Sequence, residues 1–330
     1  MNDIDWAVEP VYRQTDVHGN PLTEEEARNI DNHMNNEMTD PFVKTNWKTV
    51  ESREAWQHLF QQVGAAKVEA EWRSVMYDET DRKAAIIHVN NNNREKWLRR
   101  LGQHDLVYRD LLYTESYEGF SHKHLPTDIS NPHRDTYAVV AQNEDIADQM
   151  DEATNELTGV EKHEQKGRLL GFPKCCRDFF HDVWLGEDMI DPLYEVACNT
   201  DGVEMVDGDP EHLLIPEDVT LAGSNPMWKY FGLTFTTHIP CSFNCEATNE
   251  IARQRYRIMV DAGYKRVADM LAQWLELPGT WSGLHSQALV KNEHIIGKSK
   301  TSIYPNKKRI IYKREHESGT PLDEGGAPPE

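Results

Sequence analysis

The stretch Gly171-Phe-Pro-Lys-Cys-Cys-Arg-Asp-Phe-Phe180 organises our interpretation of the chain, because it sets two adjacent thiols at a predicted helix start. Pro173 suits the first position of a helix, where a missing N–H costs nothing. Cys175 and Cys176 then fall in the first turn, among backbone N–H groups that have no partner within the helix. The positive end of the helix dipole favours thiolates at such a place. The stretch therefore predicts a helix start that carries reactive or metal-binding thiols.

A second cysteine pair lies further along the chain, in His238-Ile-Pro-Cys-Ser-Phe-Asn-Cys245. The run Phe231–Thr237 is rich in β-forming residues and predicts a buried strand that leads into this pair. Ser242 predicts the cap of a long helix that continues to about Ala262, with Cys245 in its first turn. We therefore expect two helix N-termini to converge on a cysteine-rich site.

These two stretches offer five candidate metal ligands: Cys175, Cys176, His238, Cys241 and Cys245. Zinc takes four thiolate or imidazole ligands in a tetrahedron, so one candidate is in excess. Zinc sites generally contain Cys-x2-Cys, whereas adjacent cysteines rarely reach one ion together without strain. An iron–sulfur cluster could use three or four of the same thiolates. The remaining alternatives are a metal-free thiol pair and cysteines that pack as small hydrophobic residues.

A catalytic interpretation gives roles to His238, Cys176 and Glu246. His238 precedes Cys241 by three residues, which suits a metal ligand or a proton carrier. Cys176 would serve as a ligand or redox thiol. Glu246 would act as a general base near the metal, although a solvated helix face is the commoner role for such a residue. The first hypothesis is therefore a metal- or thiol-dependent enzyme of unknown reaction.

The composition is strongly acidic, with 56 Asp and Glu against 35 Lys and Arg and a formal charge of −21 over 330 residues. Only 38% of residues are hydrophobic, but nine Trp, twelve Tyr and nine Phe supply anchors for a core. The acid is spread along the chain, which resembles the acidic surface of proteins from extreme halophiles. We expect a soluble protein of a haloarchaeal cytoplasm, or alternatively a virion component, because neither an export signal nor a membrane-length apolar run is evident. Five cysteines without an export signal favour metal or thiol chemistry over disulfides.

The pattern of helical and strand segments predicts an α/β or α+β fold, with a small mixed sheet and several packed helices. The acidic stretch Asn199–Pro216, with two glycines and two prolines, predicts a linker or long surface loop. The predicted organisation is a polar N-terminal extension (1–50), an N-terminal α/β region (51–135), a central cysteine-motif domain (136–278), a C-terminal β-rich segment (279–314) and a disordered tail (315–330).

Basic residues are concentrated at two places in this acidic chain. Residues 298–314 are basic, with two interleaved tyrosines, and suit contact with RNA or DNA. Arg253, Arg255 and Arg257 predict a basic patch that steers anions, although pairing with neighbouring Glu is commoner. Motifs for nucleotide hydrolysis, dinucleotide binding, serine hydrolysis and zincin chemistry are lacking. The expected partner is a small molecule or a protein of unknown identity; a nucleic-acid-modifying protein is a further alternative.

The motif Gly167-Arg-Leu-Leu-Gly-Phe-Pro-Lys-Cys-Cys176, followed by His238-x-Pro-Cys-x3-Cys245, resembles an uncharacterised archaeal family with a Gly-Tyr/Phe-Pro-x-Cys-Cys signature. The resemblance covers roughly residues 137–262 and implies that the four cysteines and His238 form one site. It implies no reaction. The second motif also begins like the Cys-x3-Cys-x2-Cys of radical S-adenosylmethionine enzymes, but Thr248 stands at the third cysteine position. A structural or interaction protein, including one of a halophilic virus, with a zinc site or plain cysteine packing is the alternative to an enzyme.

Overall fold

A computed structural model of the protein describes residues 43–47, 50–77, 80–90, 94–116, 124–131, 134–185, 192–277, 279–282, 287–291, 295–300 and 309–312. Over these residues the chain forms an α+β fold with two sheets and eight α-helices, which confirms the predicted class. The helices are α1 (Val50–Arg73), α2 (Arg94–Leu101), α3 (Glu144–Asn155), α4 (Gly159–Leu169), α5 (Lys174–Phe180), α6 (Leu193–Cys198), α7 (Glu246–Asp261) and α8 (Lys265–Leu275). The strands are β1 (Val43–Trp47), β2 (Ala84–Asn90), β3 (Val107–Ser116), β4 (His124–Pro126), β5 (Asp135–Ala141), β6 (Glu204–Val206), β7 (Asp209–Ile215), β8 (Gly279–Ser282), β9 (Gln287–Lys291), β10 (Ile295–Lys300) and β11 (Arg309–Tyr312).

The smaller sheet is antiparallel and has the strand order β2-β5-β3-β4. Its strand β5 carries the consecutive apolar residues Ala138 to Ala141, all of which are buried. Such a run fits a strand that is covered on both faces, since neighbouring side chains point to opposite sides. One face packs against α2 and the end of α1, and the other packs against α3 and α4. The sheet is therefore the middle of three layers.

Helices α1, α7 and α8 form a second core beside this sheet. Trp228 and Trp274 stack at its edge, with ring centroids 5.9 Å apart and an interplanar angle of 19°. Helix α1 contributes Val63, Ala66 and Ala70 to this core and, two residues after Ala70, Trp72 to the core of the smaller sheet. Because one helix is shared by both cores, the start of α7 is fixed relative to the smaller sheet.

The larger sheet has seven strands in the order β1-β10-β9-β8-β11-β7-β6. Strands β11 and β7 run parallel, and the other neighbouring pairs are antiparallel. Its described core contains α6 together with Phe243 and Tyr312, whose rings lie 5.4 Å apart. The sheet thus combines strands from the predicted extension, the central domain and the C-terminal segment.

The stretch Asn199–Pro216 is not the predicted linker or loop, because it contains the hairpin of β6 and β7. The turn between the two strands has positive φ at both Asp207 (54°) and Gly208 (74°). Aspartate followed by glycine is a strong signal for this kind of two-residue hairpin turn, since glycine adopts positive φ without steric cost. The loop prediction rests on the acidic residues, glycines and prolines of the stretch, and these residue types also occur in hairpins.

The predicted buried strand over Phe231–Thr237 is also wrong. A 3-10 helix, Met227–Phe231, ends at Gly232, and the backbone N–H of Leu233 donates to Trp228 O at 3.1 Å. The following residues form no strand, yet Leu233 and Phe235 are buried in the second core. Their apolar character reflects burial of an irregular segment rather than a place in a sheet.

Several predictions fall on residues outside the described ranges. These are the disordered tail (315–330), most of the N-terminal extension (1–42 and 48–49) and residues 301–308 and 313–314 of the predicted nucleic-acid-binding segment. Among the helices that the structure describes, none combines the length and apolarity needed to cross a membrane.

Candidate metal centre

The first cysteine pair is positioned by a tight turn between α4 and α5. Gly171 has φ +69°, and the N–H of Phe172 donates to Gly167 O at 2.8 Å, as in a helix C-cap. A Cβ atom at Gly171 would lie 2.9 Å from the backbone N of Arg82, so only glycine lets these two segments approach so closely. Pro173 takes the N-cap position rather than the first helical one. Cys175 and Cys176 lie in the first turn of α5, as the sequence predicts; Cys175 is exposed and Cys176 is buried.

The second pair lies on a loop that ends at the start of α7. The helix begins at Glu246, and Cys245 rather than Ser242 is its N-cap residue. The predicted start at Ser242 is wrong because the buried ring of Phe243 enters the core of the larger sheet, which turns the chain away from a helical path. The carbonyl of Cys245 accepts hydrogen bonds from the N–H of Asn249 at 3.0 Å and from Ser224 Oγ at 2.7 Å. These bonds fix the backbone from which the Cys245 thiol projects.

The sulfur atoms of Cys175, Cys176, Cys241 and Cys245 all lie within 4.8 Å of one another. The Cys176 and Cys245 sulfurs are 3.7 Å apart, and Cys175 Sγ lies 3.9 Å from each of them. Zinc–sulfur bonds of about 2.3 Å place the corners of a regular tetrahedron about 3.8 Å apart. The sulfurs of Cys175, Cys176 and Cys245 therefore have the spacing of three corners of such a tetrahedron, and Cys241 Sγ lies within 4.8 Å of each of them. Both members of the adjacent pair Cys175 and Cys176 belong to this group, although adjacent cysteines are unusual in zinc sites.

The thiols influence one another strongly. Hydrogen bonds from Cys176 and Cys241 hold the pKa of Cys245 well below its usual range. Hydrogen bonding to Cys241 and Cys245 raises the pKa of Cys176, and burial raises it further. These opposite pKa shifts favour the thiolate form of Cys245 and the thiol form of Cys176, because like charges at such distances disfavour one another.

Thr248 connects the thiols to His238. Its Oγ1 lies 3.2 Å from Cys176 Sγ, donates to Cys245 Sγ at 3.3 Å and lies 2.9 Å from His238 Nε2. With Nε2 protonated, His238 donates to the hydroxyl, which can then donate to the Cys245 thiolate. The residue at the position of a third radical-enzyme cysteine is therefore a hydrogen-bond partner of two candidate ligands.

His238 lies outside the sulfur cluster and is linked to it through the Thr248 hydroxyl, by two successive hydrogen bonds. Its ring packs against Phe172, with centroids 5.0 Å apart. Burial lowers the pKa of His238 to about 4, and Arg82 and Arg255 add to that effect while Cys245 opposes it. The imidazole is therefore neutral at pH 7 and can serve as a donor toward Thr248.

Glu246, the predicted general base, is exposed on the first turn of α7 and is not part of the sulfur group. Cys198 is exposed at the end of α6 and does not belong to the cluster.

Sequence reasoning missed a buried ion-pair group behind His238. Arg82 and Arg255 both pair with Glu71, the latter at 3.1 Å, and both guanidinium groups are about 5% exposed or less. Arg255 was part of the predicted basic patch, but it points into the protein and also donates to the Ala70 carbonyl. The sequence does not show that Arg255 is buried, because it stands between two other arginines on the same helix. Its burial follows from the packing of α1 against α7.

A cavity of about 270 Å³ lies next to the metal centre. Its walls include Lys67 from α1, Lys229 from the 3-10 helix and His238 from the loop that carries Cys241. No family model, curated protein or solved structure that was compared with the chain matches it.

Proposed function

We propose that the protein binds one zinc ion through Cys175, Cys176, Cys241 and Cys245, and that this ion fixes three chain segments in the fold. The observation that carries the proposal is the sulfur geometry. The separations of 3.7 to 3.9 Å among the sulfurs of Cys175, Cys176 and Cys245 agree with the tetrahedral spacing of about 3.8 Å that follows from the zinc–sulfur bond length. Cys241 Sγ lies within 4.8 Å of all three and supplies the fourth ligand. Four thiolates in a tetrahedron favour zinc or a single iron among biological metals.

The same distances favour one ion over a larger iron–sulfur cluster. In a cluster, thiolates bind different irons and therefore stand farther apart than thiolates on one ion. Simple core packing accounts less well for the arrangement, since Cys175 is exposed and gains nothing from burial. A set of four sulfurs around one point is the expected result of shared coordination.

The closed ligand set favours a structural role for the metal. Structural zinc sites have four protein ligands, whereas catalytic sites keep one position open for water or substrate. Here the ion would join the start of α5, the loop through Cys241 and the residue that precedes α7. These segments belong to different cores, so the ion would hold the halves of the described fold together.

The test is elemental analysis and an absorption spectrum of protein purified anaerobically, for the wild type, Cys241→Ser and Cys198→Ser. We expect one zinc per chain, a colourless protein and loss of metal in Cys241→Ser. Cys198→Ser is the matched control, because Cys198 lies outside the cluster, and it should retain the zinc. Iron and sulfide in the wild type would mean that the cysteines hold an iron–sulfur cluster rather than zinc. A wild type without metal would overturn the proposal.

A second candidate function is catalysis at a metal-bound thiolate, and the exposure of Cys175 favours it. An exposed ligand can leave the ion and open a coordination position, which a substrate could then occupy. Cobalt-substituted protein distinguishes the two functions through its visible spectrum. If the spectrum shows four sulfur ligands and does not change when small-molecule thiols or imidazole are added, the metal has a structural role. A spectrum that changes on their addition supports an exchangeable coordination position and therefore catalysis. The resemblance to the archaeal family supports treating the cysteines as one site and adds no reaction.

A further inference from the structure

The cavity beside the metal centre is basic, although the protein carries a formal charge of −21. Two lysines and one histidine line it, together with Ser224, Thr236 and Thr237. On an acidic chain, a cavity with two ammonium groups and several hydroxyl groups is unlike the average surface. Its composition matches sites that recognise anions through charge and hydrogen bonds.

Lys67 is the best-defined of these groups. Its Nζ donates to the Gly232 carbonyl at 2.5 Å, which anchors the ammonium at the cavity wall. That bond uses one of its three N–H donors and leaves two for another acceptor. Gly232 ends the 3-10 helix that carries Lys229, so the two lysines are supported by the same short segment.

The surroundings of Lys67 add further positive charge. Arg82 and Arg255 share the single carboxylate of Glu71, so this buried group carries one excess positive charge. Burial lowers the pKa of Lys67 to about 8, and the charge of Arg255 contributes to that shift. A protonated Lys67 therefore stands in an unfavourable environment that a nearby anion would relieve.

We propose that this cavity binds a small phosphate-bearing anion, held by Lys67 and Lys229 and bordered by the hydroxyl groups of Thr236 and Thr237. Lysine binds phosphate as a point charge, whereas flat two-point recognition of a carboxylate generally uses an arginine fork. The two arginines of this region pair with Glu71 instead. A cavity of about 270 Å³ has room for a phosphate group and a small attached moiety.

The proposal goes beyond the metal centre and does not require zinc to act on the anion. The two sites meet at the loop from His238 to Cys241, which lines the cavity at one end and supplies a thiol at the other. The buried arginines could instead offset the charge of the thiolates. That explanation does not account for Lys67, whose ammonium is held at the cavity wall by the Gly232 carbonyl.

The test is calorimetric titration of the purified full chain with inorganic phosphate, and with acetate at the same ionic strength. We expect saturable phosphate binding that Lys67→Met weakens about tenfold, as loss of a charge-assisted hydrogen bond predicts. Lys229→Met should weaken it as well. Lys265→Met is the matched control, since Lys265 is an exposed lysine paired with Asp269 at 2.6 Å and does not line the cavity.

Removing a lysine whose charge is disfavoured should leave the folded state at least as stable, so thermal unfolding of Lys67→Met separates lost binding from lost structure. If phosphate binding does not saturate by about 10 mM, the proposal is overturned, because binding weaker than that does not indicate a specific phosphate site. A loss of affinity in Lys265→Met as large as that in Lys67→Met would overturn it too, because the effect would then follow net charge rather than the cavity. So would acetate binding as tightly as phosphate. Wild-type protein that binds phosphate but holds no zinc as purified would support this proposal and overturn the proposed metal centre.

Discussion

Cys176 and Cys245 hold their sulfur atoms 3.7 Å apart, although 69 positions separate them in the sequence. Cys176 belongs to the first turn of α5, and Cys245 is the N-cap residue of α7. Two helix starts that are distant in sequence therefore meet through their thiols. A metal ion at this point would replace weak sulfur contacts by coordination bonds and make the junction a major source of stability.

Removing the metal should destabilise the protein strongly. A ligand present at 1,000 times its dissociation constant contributes about 4 kcal/mol to the free energy of unfolding. We expect a chelator to lower the melting temperature of wild type and of Cys198→Ser, measured by circular dichroism under reducing conditions. Cys176→Ser and Cys245→Ser should melt at lower temperature and show no chelator effect. A wild type whose melting is unchanged after verified removal of zinc would contradict a structural role.

Thr248→Val should weaken zinc binding while it leaves the fold intact. The substitution removes the hydroxyl that contacts Cys176 and Cys245 and joins them to His238. Loss of such a hydrogen bond to metal ligands typically costs about 10- to 100-fold in affinity. Competition with a chromophoric chelator measures this change. Thr154→Val is the matched control, because Thr154 is also buried and its hydroxyl donates within α3, to the Met150 carbonyl at 2.7 Å. Equal zinc affinity in both variants would show that the Thr248 hydroxyl does not support the site.

Gly171→Ala should destabilise the protein by more than about 2 kcal/mol, because a positive φ and a close backbone contact act together. The new Cβ would lie 2.9 Å from the Arg82 backbone N, which cannot move without shifting the start of β2. Gly263→Ala provides the comparison. Gly263 has φ +91°, but no atom lies within 4 Å of the position that a Cβ would take, so only the backbone strain of about 1 kcal/mol applies. Denaturant unfolding of both variants measures the difference, and equal losses would argue against the close contact.

Local signals predict much of this fold correctly. The helix that carries the first cysteine pair begins directly after Pro173, within one residue of its predicted start, and the α+β class agrees with the predicted class. The turn at Gly171 and the helix after Pro173 follow from the conformational limits of these two residues, which act within a few positions. The meeting of the two cysteine pairs also agrees with the prediction of converging helix starts.

The remaining features depend on packing between distant segments. Phe243 moves the start of α7 to Glu246 because its ring fills the core of a sheet whose strands come from elsewhere in the chain. Arg255 is buried because its partner Glu71 lies on α1, far away in the sequence. Neither pairing has a local signature, since charge and apolarity alone do not tell which segment a residue meets.

The pH dependence of stability should report the partly buried Lys166. Burial lowers the pKa of this lysine from the usual 10.5 to about 8, and the charge of Lys162 contributes to that shift. Between these two values the unfolded chain binds one proton more than the folded chain, so stability rises with pH there. The wild-type free energy of unfolding should rise relative to that of Lys166→Met by at most about 1.4 kcal/mol per pH unit. The difference should be constant below about pH 7.

Urea unfolding from about pH 7 to pH 10 measures this difference. Lys265→Met serves as control, because a hydrogen bond to Asp269 raises the pKa of Lys265 in the folded protein. Its contribution to the free energy of unfolding declines only when the pH rises above the pKa of the unfolded chain. The wild-type free energy of unfolding should therefore not rise relative to that of Lys265→Met over this range. A flat difference for Lys166→Met would mean that Lys166 keeps its ordinary pKa in the folded protein.

Glu71→Gln should be among the most damaging single substitutions outside the metal centre. The amide keeps the shape of the side chain but leaves Arg82 and Arg255 without a counter-charge in a buried region. Breaking a buried ion pair in this way costs about 3 to 5 kcal/mol. Glu250→Gln removes an exposed partner of Arg253 and should cost at most about 0.5 kcal/mol.

Because the Glu71 substitution also makes the neighbouring cavity more positive, added phosphate should raise the melting temperature of Glu71→Gln more than that of the wild type. Equal stability losses in Glu71→Gln and Glu250→Gln would show that the buried guanidinium groups find other partners. An equal rise in melting temperature with phosphate in Glu71→Gln and wild type would show that the charge of these groups does not affect binding in the cavity.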